Sequence, residues 1–156
     1  MEQFSQIERQ VQIGSLQQIE LLNKESSSQL MNDENYKYIY SFPIALELFP
    51  NKTAWVIGFI LFGYQIICST EGGKIYALIS ELEPICIAED YSIFNRILDI
   101  IETCWKGKES ETRLPKNEAT LAMRKKALEE IVALSPNADL SVWDWIAFEE
   151  LTISMS

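Results

Sequence analysis

The amino-acid sequence predicts an α+β fold in which a mostly antiparallel sheet is flanked by helices. Runs rich in aromatic and β-branched residues fill most of residues 36–89, a glycine turn separates two of them, and helical patterns follow. The 156 residues, 47% of them apolar, fit one domain. We expect an N-terminal helix and loop (1–35), a core of sheet plus helix (36–106) and a helical C-terminal extension (107–156).

The N-terminal segment has apolar residues at spacings of three to five, which predict a helix over residues 4–23 with a weak point at Gly14. These residues are Phe4, Ile7, Val11, Leu16, Ile19 and Leu22. The stretch IELLN (19–23) is also compatible with a short strand. Residues 23–35 are rich in Ser and Asn, and this composition predicts a loop.

The next segment, YKYIYSFPIALELF (36–49), has the composition of a strand. Pro43 lacks an amide hydrogen, so we expect this strand to lie at a sheet edge or to carry a bulge there. The alternating tyrosines line one face, which is either core or a binding platform: Tyr36, Tyr38 and Tyr40. Residues 49–53 predict a turn.

The apolar run from Trp55 to Cys68 is longer than a typical strand. We expect Gly58 or Gly63 to bend it or to split it in two. Because both faces of the run are apolar, the resulting strands should be covered on both sides, by helices or by a second layer.

The stretch ICSTEGGKIYAL (67–78) raises the question of a phosphate-binding loop. Such a loop needs Gly-Lys followed by Ser or Thr and then a helix. Here Lys74 is followed by Ile75, and the residues after it alternate as they do in a strand. Two glycines between two strand-like runs predict a hairpin turn instead.

The clearest helix follows a short strand predicted at PICIAE (84–89). Asp90 or Ser92 can cap the first turn of this helix, and Gly107 can end it. Its apolar residues fall on one stripe, which we expect to pack on the core: Ile93, Phe94, Ile97, Leu98, Ile101, Cys104 and Trp105.

The C-terminal extension begins with a charged linker (108–117). A helix is predicted over residues 117–134, ended by Ser135-Pro136, and we expect four of its side chains to point inward: Leu121, Leu128, Ile131 and Val132. A last helix is predicted over residues 139–151, capped by Asp139 or Ser141. On it Trp145 and Phe148 share a face and Trp143 points elsewhere. Either one indole packs and the other is partly exposed, as an interface residue would be, or both indoles pack against the domain.

Composition and charge narrow the classes of function. The net charge of -10 disfavours nucleic acid and membrane surfaces as partners and favours a basic protein. The chain has no histidine, which removes the commonest general base and zinc ligand. Nor do the residues suggest a metal site or a cofactor. The N-terminus lacks the features of a signal peptide, and the longest apolar run is too short to span a membrane, so we expect a cytoplasmic protein.

The three cysteines, Cys68, Cys86 and Cys104, are widely spaced and sit among apolar neighbours. This pattern is not typical of a disulfide framework or a metal site. We expect buried free thiols.

Acidic and aromatic residues are the candidates for partner binding. Glu81 and Glu83 lie on one side of an extended chain, either as a solvated edge or as a carboxylate pair able to act on a glycosidic bond. Glu89 and Asp90 stand where a strand passes into a helix, and they either cap it or form an acidic knob for a basic partner. The remaining candidates lie in the last helix: Trp143, Asp144, Glu149 and Glu150.

Residues 47–98, about a third of the chain, resemble the core of the SUKH superfamily. The resemblance consists of a strand ending in Phe62-Gly63, a hairpin that returns through Gly73-Lys74-Ile75-Tyr76, and an Ile87-Ala88 strand end leading to a helix with Phe94 and Leu98. The Leu-Pro-x-x-Tyr stretch and Asn-Gly pair common in the family are absent from residues 1–40, and residues 107–156 extend beyond the usual core.

The resemblance implies a curved, mostly antiparallel sheet flanked by helices. Many bacterial SUKH proteins resemble immunity proteins, which bind a cognate toxin, often a nuclease or a nucleic-acid deaminase, and carry no catalytic residues. A non-catalytic immunity protein with a basic toxin as partner is therefore the first hypothesis. A regulatory or scaffold module of the same fold without a toxin is the second, and a small enzyme that uses carboxylates is the third.

Overall fold

A computed structural model of the chain describes residues 7–15, 17–22, 45–49, 52–60, 64–69, 73–78, 84–111 and 114–149. Within these ranges the strands are β1 (Ile7–Ile13), β2 (Gln17–Leu22), β3 (Ala45–Phe49), β4 (Lys52–Ile60), β5 (Tyr64–Ser69), β6 (Ile75–Leu78) and β7 (Ile85–Ala88). The helices are α1 (Tyr91–Trp105), α2 (Glu118–Leu134) and α3 (Leu140–Asp144), with a π-helical turn at Trp145–Glu149. The predicted α+β class is confirmed.

The strands form one sheet in the order β1-β2-β4-β5-β6-β7, with β3 also paired to β4. Every pairing between the described strands is antiparallel. The strand β2 lies opposite residues 58–60 of β4, and β3 lies opposite residues 52–55. Because β5 pairs along 54–60 of β4, β2 and β3 share its other side, one at each end.

The prediction of a helix over residues 4–23 is wrong for the part that the structure describes. The chain turns at Gly14, whose φ is 67°, and β1 and β2 pair with Val11 opposite Ile19. Buried and exposed residues alternate along this hairpin, the buried ones being Val11, Ile13, Ile19 and Leu21. Pairing of β2 with β4 outweighs the local helical spacing. The alternative of a short strand in IELLN is confirmed for residues 19–22.

The long apolar run is split as predicted. The strand β4 continues through Gly58 to Ile60, and β5 begins at Tyr64, so the run is divided between residues 60 and 64. Gly58 does not end the strand. The register with β5 shifts between Val56 and Gly58, as in a β-bulge. A Cβ atom at Gly58 would lie 2.3 Å from the carbonyl oxygen of Glu20 in β2. Glycine therefore permits the close approach of β2 to β4.

The predicted hairpin is confirmed in place of a phosphate loop. Cys68 of β5 pairs with Ile75 of β6, and Gly73 between them has a φ of 71°. Strand β6, not a helix, follows the glycine. The predicted strand at 36–49 is seen as β3 over residues 45–49, while Tyr36, Tyr38, Tyr40 and Pro43 lie outside the described residues. The loop predicted at 23–35 lies outside them too.

Helix α1 has the start and the buried face that the sequence predicts. Asp90 Oδ1 accepts a hydrogen bond from the amide of Ile93 (2.8 Å) and caps the first turn. Six apolar side chains of the helix are buried: Phe94, Ile97, Leu98, Ile101, Cys104 and Trp105. The helix contacts both β1 and β7, the two strands at the ends of the sheet order. One helix therefore covers the sheet and joins its two ends.

Helix α2 is rotated relative to the prediction. Ile131 is buried as expected, together with Ala127, but Leu121 is 54% exposed and Val132 is 40% exposed. Leu128 is half-buried. The helix rests on α1 through the side that carries Ala127, a small residue that allows close packing. The expected inward orientation of Leu121 and Val132 is therefore wrong, since α2 has apolar residues on two of its faces.

The last predicted helix is short and changes type. Asp139 caps α3 by accepting from the amide of Val142 (3.0 Å), as predicted, but from Trp145 onward the backbone forms the π-helical turn. Residues of this region belong to the same hydrophobic core as the sheet and α1, including Val142, Trp143, Ile146 and Ala147. None of the helices in the described part of the chain has the length and apolar character needed to cross a membrane.

We expect Gly58→Ala to lower the free energy of unfolding by about 3 kcal/mol, because the new methyl group would collide with the β2 backbone. Denaturant unfolding measures this change. Gly73→Asn is the matched control, since asparagine tolerates a left-handed turn and no atom lies within 4 Å of a Cβ there. A Gly58→Ala variant as stable as the wild type would show that the close approach of β2 is dispensable.

Candidate partner-binding surface

Half of the eight predicted contact residues can be compared with the structure in side-chain detail. Glu81, Glu83 and Glu150 lie outside the described residues, so the hypothesis of a Glu81–Glu83 carboxylate pair stays untested. Glu149 ends the π-helical turn, and its side chain is not described. The side chains of Glu89, Asp90, Trp143 and Asp144 are described.

Trp143 is a core residue. Its side chain is buried, its ring lies 5.8 Å from that of Phe94 in a tilted pair, and its Nε1 donates to the carbonyl oxygen of Ile87 (2.7 Å). The alternative in which one indole packs and the other is partly exposed is confirmed, because Trp145 is half-buried. Trp143 joins α3 to both β7 and α1.

Asp144 also has a structural part. Both of its carboxylate oxygens accept hydrogen bonds from Arg124 of α2, at 2.7 Å and 2.6 Å, and both side chains are largely buried. A bidentate pair of this kind fixes geometry and neutralises both charges. Asp144 is therefore a link between α2 and α3, and the prediction of it as a partner contact is not supported by its surroundings.

The outer edge of β7 is covered by the C-terminal region. The carbonyl oxygen of Cys86 accepts from the amide of Asp139 (2.9 Å), and that of Ile87 accepts from Trp143. A second indole, Trp105 of α1, donates to the carbonyl oxygen of Ala147 (2.9 Å) in the π-helical turn. An exposed strand edge invites pairing with other chains, so the bonds from Asp139 and Trp143 protect β7.

Glu89 and Asp90 lie together at the surface where β7 passes into α1, as predicted. Asp90 is exposed and caps the helix, so its structural and binding interpretations are compatible. Glu89 is half-buried, and its Oε2 has no hydrogen-bond partner among the described residues. Burial, and then the charge of Glu89, raise the pKa of the Cys86 thiol. The negative charge of Glu89 therefore acts on a thiol of the domain as well as on the surface.

The acidic knob continues along the line where α1 meets β1. Arg9 of β1 donates to the backbone and side-chain oxygens of Asn95, both at 3.0 Å, and forms ion pairs with Asp99 and Glu102. The Asp99 and Glu102 side chains remain 66% and 54% exposed. We call the group of four exposed acids Glu8, Asp90, Asp99 and Glu102 the acidic seam.

The acidic seam keeps an excess of negative charge. Its four carboxylates outnumber the two cations that the structure places beside them, which are Arg9 and Lys126, a residue of α2 that lines one groove with Asp99. Glu8 also accepts a hydrogen bond from the hydroxyl of Tyr91. Burial, followed by this hydrogen bond, raises the pKa of Tyr91 above its ordinary value of 10.0. The sequence does reveal the acids of α1, but their proximity to Glu8 and Arg9 depends on the fold.

A second surface was missed because its residues were assigned to the core. Leu121, Leu128 and Val132 of α2, with Leu140 of α3, line an open groove of about 430 Å³. We call these four residues the apolar stripe. Arg124, Lys125 and Glu129 border it. An exposed apolar stripe on a helix is typical of a protein-binding surface.

The other described features are a second groove and two free cysteines. A groove of about 310 Å³ between α1 and α2 has Cys104 in its lining, together with Asp99, Lys126 and Glu130. Cys86 and Cys104 are free, and burial raises the pKa of each thiol, which makes both poor nucleophiles. Cys104 is buried as predicted, whereas Cys86, on the last strand of the sheet order, is only half-buried, and the side chain of Cys68 is not described. Among the described residues no group of cysteine and acidic side chains could hold a metal ion.

No protein-family model, no curated protein and no solved structure matches this chain. Function has to be inferred from the residues and their arrangement.

We expect Trp143→Phe to lower the free energy of unfolding by about 2–3 kcal/mol, because it leaves the Ile87 carbonyl oxygen buried without its donor. Ile7→Ala is the control, since Ile7 is 46% exposed and truncating an exposed side chain should change stability by less than about 1 kcal/mol. Chemical denaturation of both variants tests this. Equal stabilities of Trp143→Phe and wild type would contradict the structural part assigned to the indole.

The raised pKa of Tyr91 predicts a dependence of stability on alkaline pH. The folded protein favours the neutral phenol, so the contribution of Tyr91 is complete below pH 10.0 and is lost as the pH rises through the raised pKa. Tyr91→Phe should therefore lose less stability than wild type above pH 10.0. Denaturant unfolding of both proteins across this range gives the comparison, and parallel curves would contradict the prediction.

Proposed function

We propose that this protein is a non-catalytic immunity protein of the SUKH type, which binds a cognate protein toxin and blocks its active site. The observation that carries the proposal is the order of elements from β4 to α1: a strand, a hairpin, a short strand and a capped helix. This is the order in which the SUKH resemblance places the Phe62-Gly63, Gly73–Tyr76 and Ile87–Leu98 segments. The antiparallel pairing of these strands supports it.

The position of α1 supports the curved sheet that the resemblance implies. Six strands at a spacing of about 4.8 Å would separate β1 from β7 by about 24 Å in a flat sheet. Yet Tyr91 follows β7 by three residues and also hydrogen-bonds Glu8 of β1. A sheet that bends around the helix would bring β1 and β7 to the same end of it, as the resemblance implies.

The acidic seam indicates that the proposed partner has a basic binding surface. Toxins that act on nucleic acid need basic clefts, because they bind a phosphate backbone. A row of carboxylates on a rigid helix and its neighbouring strand can occupy such a cleft without losing much conformational freedom on binding. The charge of -10 also accelerates the encounter with a basic protein. Inhibition would follow from occlusion of the cleft.

A regulatory or scaffold module of the same fold is the second candidate, and the apolar stripe is the observation that favours it. Such a module would use an apolar contact and would not need a basic partner. Gene context separates the two candidates: a neighbouring toxin gene favours the immunity protein, and its absence favours the module.

The test is co-purification with the product of the adjacent upstream gene, together with protection of cells that express that product. We expect Asp90→Asn, Asp99→Asn and Glu102→Gln combined to slow association about tenfold or more at low salt and to weaken its dependence on ionic strength. Asparagine at residue 90 retains the helix cap, so the combined variant removes charge without removing the cap. Association rates come from stopped-flow or surface-binding kinetics.

The matched control removes the same number of charges elsewhere, through Glu109→Gln, Glu111→Gln and Glu118→Gln, which are all exposed. It should retain most of the association rate. Absence of both binding and protection would overturn the proposal. Equal slowing by the two variants would assign the effect to net charge and not to the acidic seam.

A further inference from the structure

We infer that the apolar stripe is a dimerisation surface on which a second copy of this chain docks, with the two α2 helices antiparallel. Leu121, Leu128 and Val132 are spaced by seven and four residues, so they lie along one face of the helix. Leu121 and Val132 are the large apolar side chains of α2 that remain exposed at 54% and 40%. This surface is separate from the acidic seam, and the inference does not depend on the proposed toxin.

The charges beside the apolar stripe are self-complementary. Residues 124–130 read Arg-Lys-Lys-Ala-Leu-Glu-Glu, with cations before the centre and acids after it. A two-fold axis that crosses the exposed side of the helix, level with Ala127, places each residue i opposite residue 254 minus i, or its neighbour, in the second copy. Lys125 of each chain then faces Glu129 of the other, and Leu121 faces Val132. Reversing the helix is what brings opposite charges together.

The same charges argue against a foreign occupant. A basic toxin would meet Lys125 at the border of the groove, where Arg124 is already paired with Asp144, whereas the acidic seam presents carboxylates to it. A second copy in the antiparallel arrangement places Glu129 opposite Lys125 and Lys125 opposite Glu129. Antiparallel alignment also sets the dipoles of the two helices in opposite directions, which is favourable.

The size of the contact predicts a weak dimer. Leu121 and Val132 are about 16 Å apart along the helix, roughly three turns. Leu140 of α3 adds to the apolar area on one side. A contact of this length is smaller than the interfaces of permanent dimers, so association should depend on concentration. Dimer formation would leave both acidic seams free and would give the assembly two binding surfaces for a partner.

Sedimentation velocity across a series of concentrations tests the inference with the full chain. We expect wild type to shift from monomer to dimer, and Leu121→Asp to stay monomeric. Ala119→Asp is the matched control, because Ala119 is exposed and lies about 160° around the helix from Leu121. The control should dimerise as wild type does, and circular dichroism should show that both variants are folded.

Charge-reversal variants test whether the molecule that docks on the apolar stripe is a second copy of this chain. Lys125→Glu and Glu129→Lys should each weaken the dimer about tenfold, because each places like charges opposite each other. The double variant restores opposite charges and should recover dimerisation. Wild type that stays monomeric at every concentration, or a dimer indifferent to Leu121→Asp, would overturn the inference. A double variant as weak as the single ones would overturn the antiparallel arrangement. Toxin protection by Leu121→Asp should be unchanged in every case.

Discussion

The burial of α1 is the interaction on which the rest of the structure depends. Six of its apolar side chains are withdrawn from water. At about 1.5–3 kcal/mol each, they contribute an amount on the order of 10 kcal/mol, comparable to the whole stability of a small domain. Because the helix contacts both β1 and β7, this burial also joins the two end strands of the sheet to one helix. The acidic seam exists because that contact places α1 beside β1.

The sequence predicted those elements that are stabilised by contacts between residues close to each other in the chain. The start of α1 was predictable because Asp90 caps an amide three residues away, and its buried face repeats with the period of a helix. The β5–β6 hairpin was predictable from its glycines. The β1–β2 hairpin was not, since β2 is stabilised by pairing with β4, about 40 residues further along the chain.

Surface properties were harder to predict than the fold. Helix α2 has apolar residues on two faces, and its own sequence does not show which face packs on α1. In the structure Ala127 and Ile131 are buried, while Leu121 and Val132 are exposed. The acidic seam brings together residues as distant as Arg9 and Asp99. Trp143 and Asp144 looked like surface residues in the sequence, and their partners Ile87 and Arg124 lie on other elements.

The bonds from Asp139 and Trp143 to the carbonyl oxygens of β7 have a consequence for biosynthesis. On the ribosome, β7 emerges about fifty residues before the segment that shields it. During that interval nascent chains on neighbouring ribosomes can pair through their unshielded strands. Misassembly through β7 is therefore possible until the final helical region has been synthesised. In a chain shortened before Asp139, the edge of β7 would stay unshielded permanently.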